Sequence, residues 1–136
     1  MNKLLKRIAF LGVFIFIVNF LAMKFHWYYV ISWFDMPMHF IGGIFVCLLS
    51  LVVYISYFLK KDSTSSFRRF LFIGVISTFI IAVLWEVFEF SLDTFIIIKR
   101  QNIFDTISDL FFGLGGSFAA TLYFGYNKAY GKYLKN

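Results

Sequence analysis

Apolar residues run along this chain in four long stretches, separated by short polar segments. They extend from about Leu4 to Met23, Met36 to Leu59, Phe67 to Leu92 and Asp105 to Tyr126. A helix needs roughly 20 residues to cross a bilayer's hydrocarbon core, and each stretch is about that long. None alternates polar with apolar at period two, which a transmembrane barrel strand would require. Helices also keep every backbone group bonded internally, as lipid demands. The pattern therefore predicts an all-α, polytopic membrane protein: a single transmembrane domain over 1–136, with four transmembrane helices in a compact bundle.

The basic residues orient the bundle. One set of helix ends carries Lys3, Lys6, Arg7, Lys60, Lys61, Arg68, Arg69, Lys128, Lys132 and Lys135; the other carries Lys24, Lys99 and Arg100. Lysine and arginine stay on the cytoplasmic side. Ten against three therefore predicts that both termini and the polar Lys60–Ser66 linker are cytoplasmic, in a multi-pass protein of the bacterial cytoplasmic membrane. The first stretch begins like a signal peptide, but its apolar run from Ile8 to Met23 is long and no A-x-A site follows, so it reads as a retained anchor.

Composition narrows the class. The chain is 61% hydrophobic, 24% aromatic with 21 Phe, and 15% charged. These figures exclude a disordered chain and a secreted disulfide scaffold. The only cysteine, Cys47, falls mid-membrane in the second stretch and reads as core. The net charge of +6 is spread in small clusters between apolar runs, which points to a lipid bilayer as partner and not to nucleic acid. His26, Trp27, Tyr28, Tyr29 and Trp33 read as an interfacial aromatic belt. The tail from Tyr123 to Tyr133 reads as a basic segment against anionic lipid.

The acids carry the chemistry. Of seven acidic residues, Asp62 sits in the linker, while Asp35, Glu86, Glu89, Asp93, Asp105 and Asp109 all fall at the outer ends of the second, third and fourth helices. His39 joins them. Asp35 and His39 are four apart, as are Asp105 and Asp109; Glu86, Glu89 and Asp93 are spaced three and seven. Each set thus lies on one helix face. Small residues continue those faces: Gly42 and Gly43 after His39, Ala82 before Glu86, and Gly113, Gly116 or Ser117 and Ala120 after Asp109. Small residues mark where helices approach closely, so the acids are expected to point into the bundle. Asn19, in the outer half of the first helix, is placed to make an interhelical hydrogen bond.

A purely structural role competes at some positions. Asp35 and Asp105 suit the caps of their helices, with Pro37 tolerated in a first turn, and Lys24, Lys99 and Arg100 can neutralise neighbours. Glu86 and Glu89 resist that reading. They sit near a helix C-terminus, where the dipole disfavours anions, inside the apolar run VLWEVFEF. Ionisable groups within a span are functional candidates by default.

Three short motifs stand in order: Asp35-Met-Pro-Met-His39-Phe40, Trp85-Glu86-Val-Phe-Glu89 and Asp105-Thr106-Ile-Ser-Asp109, with Gly116 seven residues after Asp109. From Trp33 to Ala120 the chain resembles the YjdF-like bacterial inner-membrane proteins and, more distantly, the VanZ-like family. VanZ-like proteins usually carry Lys where Met36 stands, Gln where Glu89 stands and Asn where Gly113 stands. The resemblance implies a small multi-helix membrane protein with a polar site, and no particular reaction.

Carboxylates with one imidazole suit a divalent ion such as Mg²⁺, Mn²⁺ or Zn²⁺. On that reading His39, Glu86, Glu89 and Asp109 are candidate ligands, and Glu86, Glu89, Asp105 and Asp35 candidate acid–base groups, for a metal-dependent or acid–base site acting on a lipid-linked or cell-envelope substrate. Two alternatives stay open. One is a non-catalytic binding or assembly protein whose cluster fixes helix register. The other is a proton- or cation-coupled transporter subunit, which at this size would need a homodimer.

Overall fold

The structure, a computed structural model, describes residues 2–58, 66–96 and 103–126. These form α1 (Asn2–Lys24), α2 (Trp27–Val30), α3 (Asp35–Tyr57), α4 (Phe67–Ile96) and α5 (Ile103–Tyr126). The four long helices are each long and apolar enough to cross a membrane. They match the four apolar stretches to within a few residues at each end, and the described residues are all-helical, as the pattern requires. Lys60, Lys61 and Asp62 of the linker, Lys99, Arg100 and the tail bearing Lys128, Lys132 and Lys135 lie outside the described residues, as does the side chain of Asp93.

The element that the hydrophobic pattern does not reveal is α2. After α1 the chain turns at His26, whose φ of 56° and ψ of 35° are left-handed. The single turn WYYV then packs back on the start of α3: Trp27 and Tyr28 each meet the Phe34 ring edge-on, at centroid distances of 5.5 and 5.2 Å. A four-residue aromatic turn has too little length to show a helical period, so it merges with an interfacial belt when read from sequence.

Helices α3, α4 and α5 form the heart of the bundle, and α1 leans on α3. Each of the three buries a narrow row of residues spaced by four: Gly43, Cys47 and Leu51 on α3; Phe70, Gly74, Thr78, the half-buried Ala82 and Glu86 on α4; Asp109, Gly113, Ser117 and Thr121 on α5. Rows spaced by four are the ridges that helices interlock through. The basic end is filled by aromatics. Phe70 lies 5.7 Å from Phe124 and 6.1 Å from Tyr54, over Leu51, and Arg7 Nη1 donates to Tyr123 Oη across 3.1 Å, tying α1 to α5. At mid-depth Cys47 Sγ lies 3.3 Å from Thr121 Oγ1, which donates to the Ser117 carbonyl at 3.0 Å. The thiol is thus core, as its position in the second stretch implies.

Toward the acidic end α3 and α5 touch backbone to backbone. A Cβ on Gly43 would fall on the Gly113 carbonyl oxygen, and a Cβ on Gly116 would fall on the Phe40 carbonyl oxygen. No side chain fits between these helices at either point. Membrane helices gain nothing from hiding apolar surface from water, so contact at this range is what holds them. Gly42, one residue away, faces open space, with nothing within 4 Å of its would-be Cβ.

That difference makes a matched test. Gly43→Ala forces the α3 and α5 backbones apart and should destabilise by about 1–3 kcal/mol, the usual cost of overpacking. Gly42→Ala meets no obstacle and gains helix propensity, so it should be neutral or stabilising by up to about 1 kcal/mol. Unfolding of both variants in mild detergent checks the pair.

Candidate functional site

Three helix ends converge above the glycine contact. Asp35 opens α3, and His39 lies one turn on, its Nε2 3.3 Å from Asp35 Oδ1. From α5, Asp109 Oδ2 reaches to 3.8 Å of the same nitrogen. From α4, Glu86 and Glu89 approach the other side. Their carboxylate oxygens and a His39 nitrogen lie within 4.8 Å of one another, as do the atoms offered by Asp35, His39 and Asp109. His39 belongs to both sets, so four carboxylates from three helices share one imidazole.

The local reason is the spacing read from sequence. Pro37 stands in the first turn of α3, where its missing N–H costs no helical hydrogen bond. Asp35 does not cap that helix. Phe34 holds the preceding position with helical φ and ψ of −64° and −31° and makes no side-chain cap bond. The Asp35 carboxylate is therefore left to face His39 one turn below. Asp105 likewise lies within the first turn of α5, two residues past its start at Ile103, and is not its cap. It is half-buried, near enough to act electrostatically on Glu86 and Asp109, and outside both sets that meet around His39.

Burial sharpens the site. Asp109 is 3% and Glu86 8% exposed, and Asp109 Oδ1 and Glu86 Oε2 have no hydrogen-bond partner. Such an atom costs about 1–3 kcal/mol, more if charged, unless a ligand, ion or water meets it. Two helpers come from residues whose types gave no signal. The Thr106 hydroxyl lies close enough to Glu86, and the Trp85 indole N–H close enough to Glu89, to favour their charged forms. Both follow from helix spacing: Thr106 sits three residues before Asp109, and Trp85 four before Glu89.

The aromatic turn contributes a third. Tyr28 Oη donates to Asn19 Oδ1 at 2.7 Å, so the hydrogen bond expected of Asn19 forms with α2. Burial pushes the Tyr28 hydroxyl up from 10.0 to about 12, with the nearby Asp35 and Glu89 charges adding to the shift. Tyr28 is therefore a site residue as well as a belt residue.

A cavity of about 200 Å³ opens beside the cluster, bounded by α1, α2, α3 and α4 and touched by Gly113 of α5. Asn19, Tyr28, Asp35, His39 and Glu89 line it at the acidic end; Phe45, Val46, Thr78 and Ile81 line it deeper in the bundle.

Fold and site together define a small four-helix membrane protein with a buried acid–histidine cluster at one end of its bundle. The chain matches, over residues 2–129, the family described as predicted membrane protein DUF2238, and it belongs to that family. The match agrees with the YjdF-like resemblance and carries nothing for the VanZ-like one. No curated protein and no solved structure matches the chain.

The Tyr28 hydroxyl supplies a pH signature. Its proton is held more tightly in the folded than in the unfolded chain. Its contribution to stability is thus complete below pH 10.0 and is lost as pH rises through about 12. Tyr28→Phe should be less stable than wild type by about 0.5–1.5 kcal/mol at neutral pH, one hydrogen bond's worth. The gap should narrow once the pH passes 10.0. Denaturation of both proteins across the alkaline range reads the convergence directly.

Proposed function

We propose that the cluster is a divalent-cation site within the bacterial cytoplasmic membrane, open to the extracytoplasmic side, that acts on a lipid-linked or cell-envelope substrate. The observation that carries this reading is His39, held between carboxylates of α3 and α5 with the α4 glutamates within 4.8 Å. Ligands that sit about 2.1 Å from an ion lie at most about 4.2 Å from each other. Side-chain movements of a few tenths of an ångström would therefore close His39, Glu86 and Glu89 around a metal, and Asp109, which meets the same imidazole from α5, would join them by turning toward the ion. The unpartnered oxygens of Asp109 and Glu86 are the atoms such an ion would satisfy. One imidazole among carboxylates suits Mn²⁺ or Zn²⁺ better than Ca²⁺.

On this reading His39, Glu86, Glu89 and Asp109 are the ligands. Asp35 fixes the imidazole through its 3.3 Å contact or takes a proton from an attacking water. Asp105 stands behind the ligands as a further acid–base group. A bound ion polarises a phosphoryl or carbonyl oxygen, or lowers the pKa of its water. The ten-to-three division of basic residues supports an extracytoplasmic position for this end of the bundle.

A structural reading is favoured by one observation. His39 and Asp109 precede by four residues the two glycines that meet, Gly43 and Gly113, so their contact also fastens α3 to α5. Metal analysis separates the two readings. Wild type purified in mild detergent should hold stoichiometric Mn²⁺ or Zn²⁺, and metal at about 100 times its Kd should add about 2.7 kcal/mol of stability. His39→Ala and Glu86→Gln should lose both effects while remaining helical. Wild type that takes up no divalent ion, with variants that only melt earlier, would leave the structural reading.

A further inference from the structure

The cavity beside the cluster has the shape of a side-opening groove. Its floor is α3, and its two walls are α1, through Ile15 and Asn19, and α4, through Ile81 and Trp85. α1 packs on α3, and α4 packs on α3 and α5, so the walls stand apart across the floor. Ile81 and Trp85 are also exposed on the outer surface of α4, which faces lipid. Gly42 leaves the floor open where any other residue would carry a side chain.

Depth and polarity agree. Along α4 the groove runs from Glu89 to Thr78, roughly 16 Å at 1.5 Å per residue. That is about half of a hydrocarbon core some 30 Å thick, the depth of one leaflet. All its polar side chains except Thr78 gather at the acidic end, and the Thr78 hydroxyl is buried without a hydrogen-bond partner. The volume of about 200 Å³ exceeds the ~150 Å³ of an apolar cavity that takes one benzene ring, which leaves space for part of one hydrocarbon chain, the rest lying in lipid.

Charge identifies the head. Asp35 and Glu89 bring two carboxyl groups to the mouth beside His39, Glu86 and Asp109 stand behind that imidazole, and no lysine or arginine lines the groove among the described residues. Unpartnered, nearly fully buried carboxylate oxygens on Asp109 and Glu86 mark the cluster as a binding site and not merely a wet helix end.

We infer that the groove takes one chain of a membrane lipid sideways from the outer leaflet and seats a cationic, amine-bearing headgroup against the acid–histidine cluster. The inference names the substrate class for the site proposed above and rests on that reading for any reaction; binding itself requires no metal.

The test uses the full chain in mild detergent, with phosphatidylethanolamine and phosphatidylglycerol of identical chains as probes and native mass spectrometry as readout. Wild type should retain one phosphatidylethanolamine per chain and bind phosphatidylglycerol about tenfold more weakly or worse, the effect of losing one charge-assisted hydrogen bond. Gly42→Leu should fill the floor and abolish retention while leaving metal content and unfolding temperature at wild-type values. Ala82→Leu narrows the groove from the α4 wall and should likewise abolish retention, at some cost in unfolding temperature because Ala82 also lies on the packed row of α4. Equal binding of the two lipids by wild type overturns the headgroup assignment. Undiminished retention by a folded Gly42→Leu or Ala82→Leu protein overturns the groove. Lipid retained by a protein that takes up no metal would leave this inference standing and defeat the metal reading alone.

Discussion

Two carbonyl oxygens, of Gly113 and Phe40, occupy the places where side chains at Gly43 and Gly116 would begin. Everything at the acidic end depends on that approach. Between membrane helices there is no water to expel, so attraction comes from packing at short range and from polar contacts across the interface. Two glycine positions let α3 and α5 meet at the backbone. One turn further toward the helix starts, the same closeness sets His39 against Asp109. Move the helices apart by one methyl group and the imidazole loses its partner from α5.

The third helix joins through the same geometry. α4 presents Gly74, Thr78, Ala82 and Glu86 along one row, small or polar at every step, where its other faces are mostly Phe, Ile, Val and Leu. The row carries Glu86 inward with its carboxylate nearly shut from solvent, an arrangement that is costly without a counter-charge. The groove is the complement of this tight core. Where α1 and α4 do not close on each other, space remains at Gly42, so one bundle holds both its closest backbone contact and its open pocket on adjacent residues of α3.

Much of this was legible in the sequence for a definite reason. Hydrophobic length fixes helices in a membrane almost alone, and the spacing of Asp35 with His39, Glu86 with Glu89 and Asp105 with Asp109 fixes which groups share a face. The small residues after His39 and Asp109 indicated the buried side. The rest depended on contacts between segments far apart in the chain. Asp35 and Asp105 look like caps because acids favour helix starts, yet each lies inside its helix, and whether Asp35 serves its own backbone or a histidine one turn on depends on where the helix begins. Tyr28 is indistinguishable from its belt neighbours until the His26 turn brings it to Asn19. Thr106, Trp85 and Thr78 are ordinary helix residues whose importance comes only from what faces them. Gly42 and Gly43 are identical in sequence, and only the partner helix makes one indispensable and the other a vacancy in the floor.

The most direct test of the account is a double-mutant cycle between His39→Ala and Asp109→Asn, followed by unfolding of metal-free protein in mild detergent. These residues come from different helices, are 70 positions apart, and meet only if the glycine contact forms. The losses should be non-additive, with a coupling of about 0.5–3 kcal/mol as found for contacting residues. Additive losses would mean that the imidazole and the carboxylate do not touch, and would contradict the single site on which the account rests.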